Sequence, residues 1–167
     1  MPSLFLALCL ATVARADATP PWTDHPLMER CFDGAQGFIQ AAYGAAGTED
    51  ENIRSSPASP LKDGSVWVID ATAGANFQWY LLQPGAGGKL CLTLFVPAAA
   101  QVSVRQKGSA LAAQAKTQPS PGYPVKQVDF KRAKGAARFT PASCEEFDPA
   151  KSGAGSRRKV DCATVFD

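Results

Sequence analysis

The chain is poor in histidine and has a single copy, His25. A Ser-His-Asp or Cys-His active site would have to use this residue, but its place at the start of a predicted helix is typical of a surface side chain. No C-x-x-C pair indicates a structural zinc site, and no G-x-G-x-x-G or P-loop pattern indicates a nucleotide. We therefore expect neither a metal nor an organic cofactor, and the absence of Asn-x-Ser/Thr predicts no N-glycan.

Charged residues are absent between Met1 and Arg15, where residues 3–14 form an apolar run followed by Ala14-Arg15-Ala16. This pattern predicts a signal peptide over residues 1–16 and an exported single α+β domain over residues 17–167. Arg15 and Asp17 interrupt the run well short of the roughly 20 apolar residues that span a bilayer, so we expect no transmembrane segment in the mature chain. A hydrophobic helix retained in the fold is the alternative, because no Lys or Arg precedes the run.

Cleavage after Ala16 would remove Cys9 and leave an even number of cysteines, which suits disulfides in a secreted or periplasmic protein. The four that remain are Cys31, Cys91, Cys144 and Cys162. They allow three pairings. Chain proximity favours Cys144 with Cys162, which leaves Cys31 on the predicted helix to meet Cys91 in the strand beneath it.

Charge divides the chain into an acidic and a basic part. Residues 17–83 contain three basic and nine acidic side chains, whereas residues 84–167 contain thirteen basic and six acidic ones. If the last strands are neighbours, their bases form one basic patch that suits an anionic partner. The six residues of this predicted basic patch are Lys131, Arg132, Lys134, Arg157, Arg158 and Lys159. The alternative is a set of solvated strand faces that contribute only solubility.

Apolar residues recur at spacings of three and four from Leu27 to Tyr43, which predicts an amphipathic helix that Asp24 caps and Gly44 ends. A proline-rich extended arm, residues 17–24, precedes the predicted helix. A polar loop, residues 45–64, follows it, and Thr48 with Glu51 forms a capping-box pattern for one or two helical turns inside the loop.

A period of two replaces the helical period after residue 64 and predicts a series of strands. The predicted strands are residues 65–70, 76–82, 89–96, 101–106, 123–132, 136–139 and 157–166. Residues 110–115 are compatible with helix or strand, and Ser143 with Glu146 predicts a short helix at Cys144. The expected fold is α+β, with one N-terminal amphipathic helix packed on an antiparallel β-sheet (meander) and two disulfides.

Export, disulfides and the scarcity of catalytic groups favour a non-enzymatic secreted or periplasmic binding domain. Its partner would be a protein, with inhibition as one role, or an anionic envelope polymer. Nucleic acid is disfavoured because no aromatic residues interleave with the bases. The alternative is a small carboxylate-based hydrolase of cell-wall glycan, and a structural envelope protein is a third hypothesis. The acids available to a hydrolase are Glu49, Asp50, Glu51, Asp63, Asp70, Glu145 and Glu146.

Overall fold

The structure, a computed structural model, describes residues 25–58, 66–71, 77–107, 110–151 and 156–166. This part of the chain contains ten β-strands, all paired antiparallel, and one α-helix. The predicted signal peptide and extended arm lie outside the described residues. Among the helices that the structure describes, none has the length and apolar character needed to cross a membrane.

Five strands form the first sheet, sheet A. They are Cys31–Phe32 (β1), Ile53–Pro57 (β2), Trp67–Ala71 (β3), Gln78–Pro84 (β4) and Leu90–Val96 (β5), in the spatial order β1-β5-β4-β3-β2. The predicted strands 65–70, 76–82 and 89–96 correspond to β3, β4 and β5. The turn between β4 and β5 is closed by the Gly85 N–H, which donates to the Lys89 carbonyl at 2.8 Å. In the predicted 45–64 loop, a 3₁₀ turn at Ala45–Thr48 is followed by β2 instead of further helical turns.

The other five strands form sheet B, so the prediction of one sheet was wrong. They are Gln101–Lys107 (β6), Ala110–Lys116 (β7), Val125–Arg132 (β8), Thr140–Phe147 (β9) and Arg157–Lys159 (β10), in the order β10-β9-β8-β7-β6. Alternation of apolar residues identifies a strand but not the sheet that it joins. The chain leaves sheet A after β5 through residues 97–100, where Ala98 has a φ of +53°.

Residues 133–147 differ from the predicted strand at 136–139 and the predicted helix at Cys144. Residues 133–139 are a connection whose Phe139 N–H donates to the Thr93 carbonyl of sheet A at 3.0 Å, and the Phe139 ring is buried. The segment around Cys144 is not a helix but strand β9, which pairs with β8 on one side and β10 on the other. The Ser143 hydroxyl donates to Asp129 at 3.1 Å instead of capping a helix, so pairing on both sides overrides the local capping pattern.

The α-helix, α1, covers only Gly34–Tyr43, so the predicted helix was too long at its N-terminal end. Before it, residues 26–29 form a turn and Cys31–Phe32 forms β1, which pairs with the Leu90 end of β5. Glu29 has a φ of +64°, a value that an α-helix does not allow. Edge pairing with sheet A therefore replaces the first half of the helix.

Two apolar cores arrange these elements in three layers. In the helix-side core, Phe38 and Ile39 of α1 pack against one face of sheet A. In the inter-sheet core, Leu81 and Leu94 of sheet A pack against the inner face of sheet B, which includes Phe130. Sheet A is thus buried on both faces, and each of these buried side chains contributes about 1.5–3 kcal/mol through removal of apolar surface from water.

The structure contains the disulfides Cys31–Cys91 and Cys144–Cys162, the pairing that chain proximity favoured. The elements that carry them differ from the prediction. Cys31 is on β1, directly opposite Cys91 on β5, and not on a helix above it. Cys144 is on β9, and Cys162 begins a 3₁₀ turn after β10 in place of the second half of the predicted last strand.

Candidate functional site

The predicted basic patch is not brought together as one surface. β10 is separated from β8 by β9, and Lys159 is level with Gln127, four residues from Lys131. At about 4.8 Å between strands and 3.3 Å along a strand, the Lys131 and Lys159 backbones are about 16 Å apart. Arg132 and Arg158 point to the opposite face from Lys131 and Lys159, because side chains alternate along a strand. Lys134 lies in the connection after β8.

The face of sheet B that points away from the inter-sheet core is here called the outer face. The register places Val125, Phe147 and Arg157 in a row at one end of it, and three further rows of side chains follow. Their order follows from the strand register. The first row is Gln101, Lys116, Gln127, Glu145 and Lys159; the second is Ser103, Gln114, Asp129 and Ser143; the third is Arg105, Ala112, Lys131 and Thr140. No described helix or sheet packs on this face, and the three rows contain no aromatic or large aliphatic side chain.

Cations outnumber carboxylates on the outer face. Arg157, beside the first row, pairs with Glu145 at 3.2 Å and lies 4.5 Å above the Phe147 ring. The other cations form no ion pair within the described part of the chain. They are Arg105, Lys116, Lys131 and Lys159. The face therefore presents positive charge that the described residues do not neutralise.

Neutral donors hold the one carboxylate at the centre of the face. Asp129 accepts hydrogen bonds from Gln114 Nε2 at 2.7 Å, Gln127 Nε2 at 3.1 Å and the Ser143 hydroxyl at 3.1 Å. Gln127 is buried although it points outward, because the polar side chains cover one another. These bonds span β7, β8 and β9 and fix the side chains between the cations.

An open groove continues the outer face at the end nearest the first row, and we call it the tyrosine groove. It consists of two cavities of about 550 and 480 Å³ that share Pro119 and Pro149. Lys116 of the outer face lines one cavity, and Tyr123 lines the other. Tyr123 is 73% exposed and is the large hydrophobic side chain that stands out to solvent in the described part of the chain. Tyr123, Arg105 and Lys116 were not among the predicted site residues. Prediction of residues 110–116 as a strand would have placed Lys116 on the outer face, because side chains alternate along a strand.

The acids proposed for a hydrolase do not converge in this groove. Glu145 and Glu146 form ion pairs with Arg157 and Arg158, and Asp63 lies outside the described residues. Glu49, Asp50 and Glu51 are exposed in the turn before β2. Burial raises the pKa of Asp70, while Arg54 on the neighbouring strand opposes this shift. Asp70 lies in sheet A, on the strand between β2 and β4, and lines neither of the two cavities.

His25 is not the surface residue of a helix that the sequence predicted. It precedes the turn at residues 26–29, and its ring packs 4.7 Å from Phe95 and 5.3 Å from Tyr80, measured between centroids. Its Nδ1 accepts the Leu27 N–H at 3.2 Å, and burial lowers the pKa of the ring. These contacts make His25 a packing residue of the helix-side layer.

Among the described residues, no group of three His, Cys, Asp or Glu side chains could hold a metal ion. Comparisons of the chain with models of protein families, with curated proteins and with solved structures found no match.

Proposed function

We propose that this protein is an exported, non-enzymatic binding domain that holds an anionic glycan of the cell envelope. The glycan lies across the outer face and enters the tyrosine groove. The observation that carries the proposal is the continuity of the two surfaces, since Lys116 belongs to both. Cations on the outer face match acidic groups, and Tyr123 offers an exposed ring on which a sugar ring can stack through its apolar C–H face.

The spacing of the cations favours an extended ligand over a small anion. Lys116 and Lys159 share a row three strands apart, about 14 Å, and Arg105 and Lys131 share a row two strands apart, about 10 Å. These are backbone distances, which the long side chains can shorten, so one phosphate or carboxylate can contact a pair of the cations but not all four. A chain with repeated negative charges can contact all of them, because the strands hold their positions rigidly.

The chemistry of the outer face favours a glycan over a protein. Stable protein interfaces have an apolar centre enriched in aromatic residues and Met, whereas here the apolar pair Val125 and Phe147 lies at one end of the face and the three rows have no such residue. The exposed Gln101 amide and Ser103 hydroxyl can instead bond to sugar hydroxyls. Expected export and the two disulfides support an envelope partner, since disulfides persist in oxidising compartments.

The test measures binding of the oxidised protein to polygalacturonate at several salt concentrations. Each cation that contacts the polymer releases counterions, so the triple variant Lys116→Gln, Lys131→Gln, Lys159→Gln should bind more weakly and reduce the slope of log K against log salt by about 2. Tyr123→Ala should weaken binding by about tenfold with the slope unchanged. Lys134→Gln with Arg158→Gln is a control that removes two positive charges from positions outside the three rows, and it should leave the slope unchanged.

Three outcomes contradict the proposal. If methyl-esterified polygalacturonate, which lacks the carboxylate charges, binds as tightly as polygalacturonate, then the protein does not recognise charge. If polyglutamate binds as tightly as polygalacturonate and Tyr123→Ala does not weaken its binding, the partner is an acidic protein and not a glycan. Shortening of the polymer during incubation would show an enzyme and favour the hydrolase.

A further inference from the structure

The inter-sheet core ends in polar residues on both of its walls. The inward-facing row of β4 changes from apolar to polar after Leu81, and that of β8 changes after Phe130. The polar residues that follow are Gln83 and Arg132, which both line a cavity of about 160 Å³ between the sheets. Glu29 also lines this inter-sheet cavity.

Two polar groups at the inter-sheet cavity have no hydrogen-bond partner among the described residues. They are Gln83 Oε1, an acceptor, and Arg132 Nε, a donor. The Gln83 side chain is only 6% exposed, so its oxygen is desolvated without compensation from the protein. Burial also lowers the pKa of Arg132. Buried polar groups left in this state cost free energy and are rare, so a small polar ligand or ordered water must satisfy them.

Glu29 adds a negative charge to the cavity wall from a strained backbone. Its φ of +64° is rare for a residue with a side chain, and such strain concentrates at binding sites. The Glu29 N–H donates to the Leu92 carbonyl at 3.0 Å, and the Leu92 N–H donates to the Arg30 carbonyl at 2.9 Å. Pairing with β5 thus holds Glu29 in place, half-exposed and 3.7 Å from the Arg138 guanidinium.

We infer that the inter-sheet cavity binds a small α-amino acid as a zwitterion. Its carboxylate accepts from Arg132, and its ammonium donates to Gln83 Oε1 and the Glu29 carboxylate. A simple anion would leave Gln83 Oε1 unsatisfied, and a simple cation would leave Arg132 unsatisfied. The cavity holds about five water volumes, the size of glycine or alanine.

This site is independent of the proposed glycan surface, because Arg132 and Lys131 point to opposite faces of β8. The two functions can therefore fail separately. The pair Arg132→Gln and Lys131→Gln is the matched test, since the residues are adjacent and each substitution removes one positive charge.

The experiment is calorimetric titration of the full chain with glycine and L-alanine, with N-acetylglycine and glycinamide as probes that lack one charge each. We expect glycine or alanine to bind with a Kd of about 1 mM or tighter, and each capped probe to bind about tenfold more weakly or not at all. Arg132→Gln should weaken amino acid binding by about tenfold and leave polygalacturonate binding unchanged. Lys131→Gln should weaken polygalacturonate binding and leave amino acid binding unchanged.

Comparisons of ligands on the unmodified protein test the inference even if a variant fails to fold. Equal binding of glycine and both capped probes would overturn the zwitterion assignment. Absence of binding by both amino acids would overturn the site, as would a crystal soaked in alanine with only ordered water in the cavity. Loss of polygalacturonate binding alone would refute the proposed function and leave this site intact.

Discussion

Gly85 lies against the Cys31–Cys91 disulfide, and we predict that Gly85→Ala destabilises the protein. A Cβ at this position would overlap the Cys91 sulfur and come within 3.6 Å of the Cys31 sulfur. The backbone angles of Gly85, φ −114° and ψ −162°, are extended values that alanine adopts readily. The conflict is therefore between the methyl group and a sulfur whose position the disulfide restricts.

The size of the effect is the difference between two opposing contributions. Insertion of a methyl group into packed surroundings costs about 1–3 kcal/mol. Replacement of glycine reduces the entropy of the unfolded chain, which returns about 0.4–1 kcal/mol. We expect a net loss of about 1–2 kcal/mol in the free energy of unfolding.

The assay is denaturant unfolding under non-reducing conditions, in two backgrounds. In the Cys31→Ala, Cys91→Ala background the sulfur is absent, so Gly85→Ala should be neutral or stabilising. Gly37→Ala is the control, because an added Cβ there meets its nearest atom, the Phe32 Cβ, at an ordinary 3.7 Å. In the interior of α1 it should stabilise the protein by up to about 1 kcal/mol.

Two results would refute this reasoning. The first is a cost of Gly85→Ala that is the same with and without the two cysteines. The second is stabilisation by Gly85→Ala while the disulfide is intact.

Two other predictions concern stability. Replacement of Cys31 and Cys91 by alanine should cost about 4 kcal/mol and replacement of Cys144 and Cys162 about 3 kcal/mol, because the bridges close sequence separations of 60 and 18 residues. The reverse order in denaturant unfolding would contradict this loop-entropy reasoning. Burial, together with the hydrogen bond to Tyr43, raises the pKa of Tyr80 above its ordinary 10.0. As the pH rises, Tyr80 therefore loses its proton in the unfolded chain before it does so in the folded protein. The free energy of unfolding should fall by about 1.4 kcal/mol per pH unit above roughly pH 10. Tyr80→Phe should make that decline shallower, and unchanged slopes in unfolding experiments across this pH range would show that Tyr80 does not cause it.

The sequence predicted correctly those elements whose local residue preferences agree with the pairing and packing that the fold imposes on them. The β4–β5 hairpin is such a case, because alternating apolar residues flank a proline- and glycine-rich turn. β9 is the opposite case, since Ser143 and Glu146 favour a helix locally while strands on both sides impose extended backbone. The first half of the predicted helix failed for the same reason, because pairing between β1 and β5 is not visible in helical spacing.

Of the candidate site, the sequence likewise predicted what depends on residue type but not what depends on the arrangement of strands. Basic residues in the C-terminal half were visible in the sequence, and alternation along the predicted strand already separates Lys131 from Arg132. The distance between Lys131 and Lys159 depends instead on the register of β8, β9 and β10, which the sequence does not show. The exposure of Tyr123 was not predicted, because this residue was placed at the start of the strand 123–132, whereas β8 begins at Val125. The inter-sheet cavity could not be predicted, because Gln83 and Arg132 meet only after the two sheets pack.

Each disulfide joins segments of one layer, with Cys31–Cys91 inside sheet A and Cys144–Cys162 between sheet B and the turn beyond it. Neither bridge links the two sheets, so apolar contact holds them together, with the chain itself and a few polar contacts such as the hydrogen bond from Phe139 to Thr93. Hydrophobic attraction weakens on cooling, whereas a covalent bond does not. The seam between the sheets is accordingly the cold-sensitive part of this molecule, and reducing agents act on the individual layers instead.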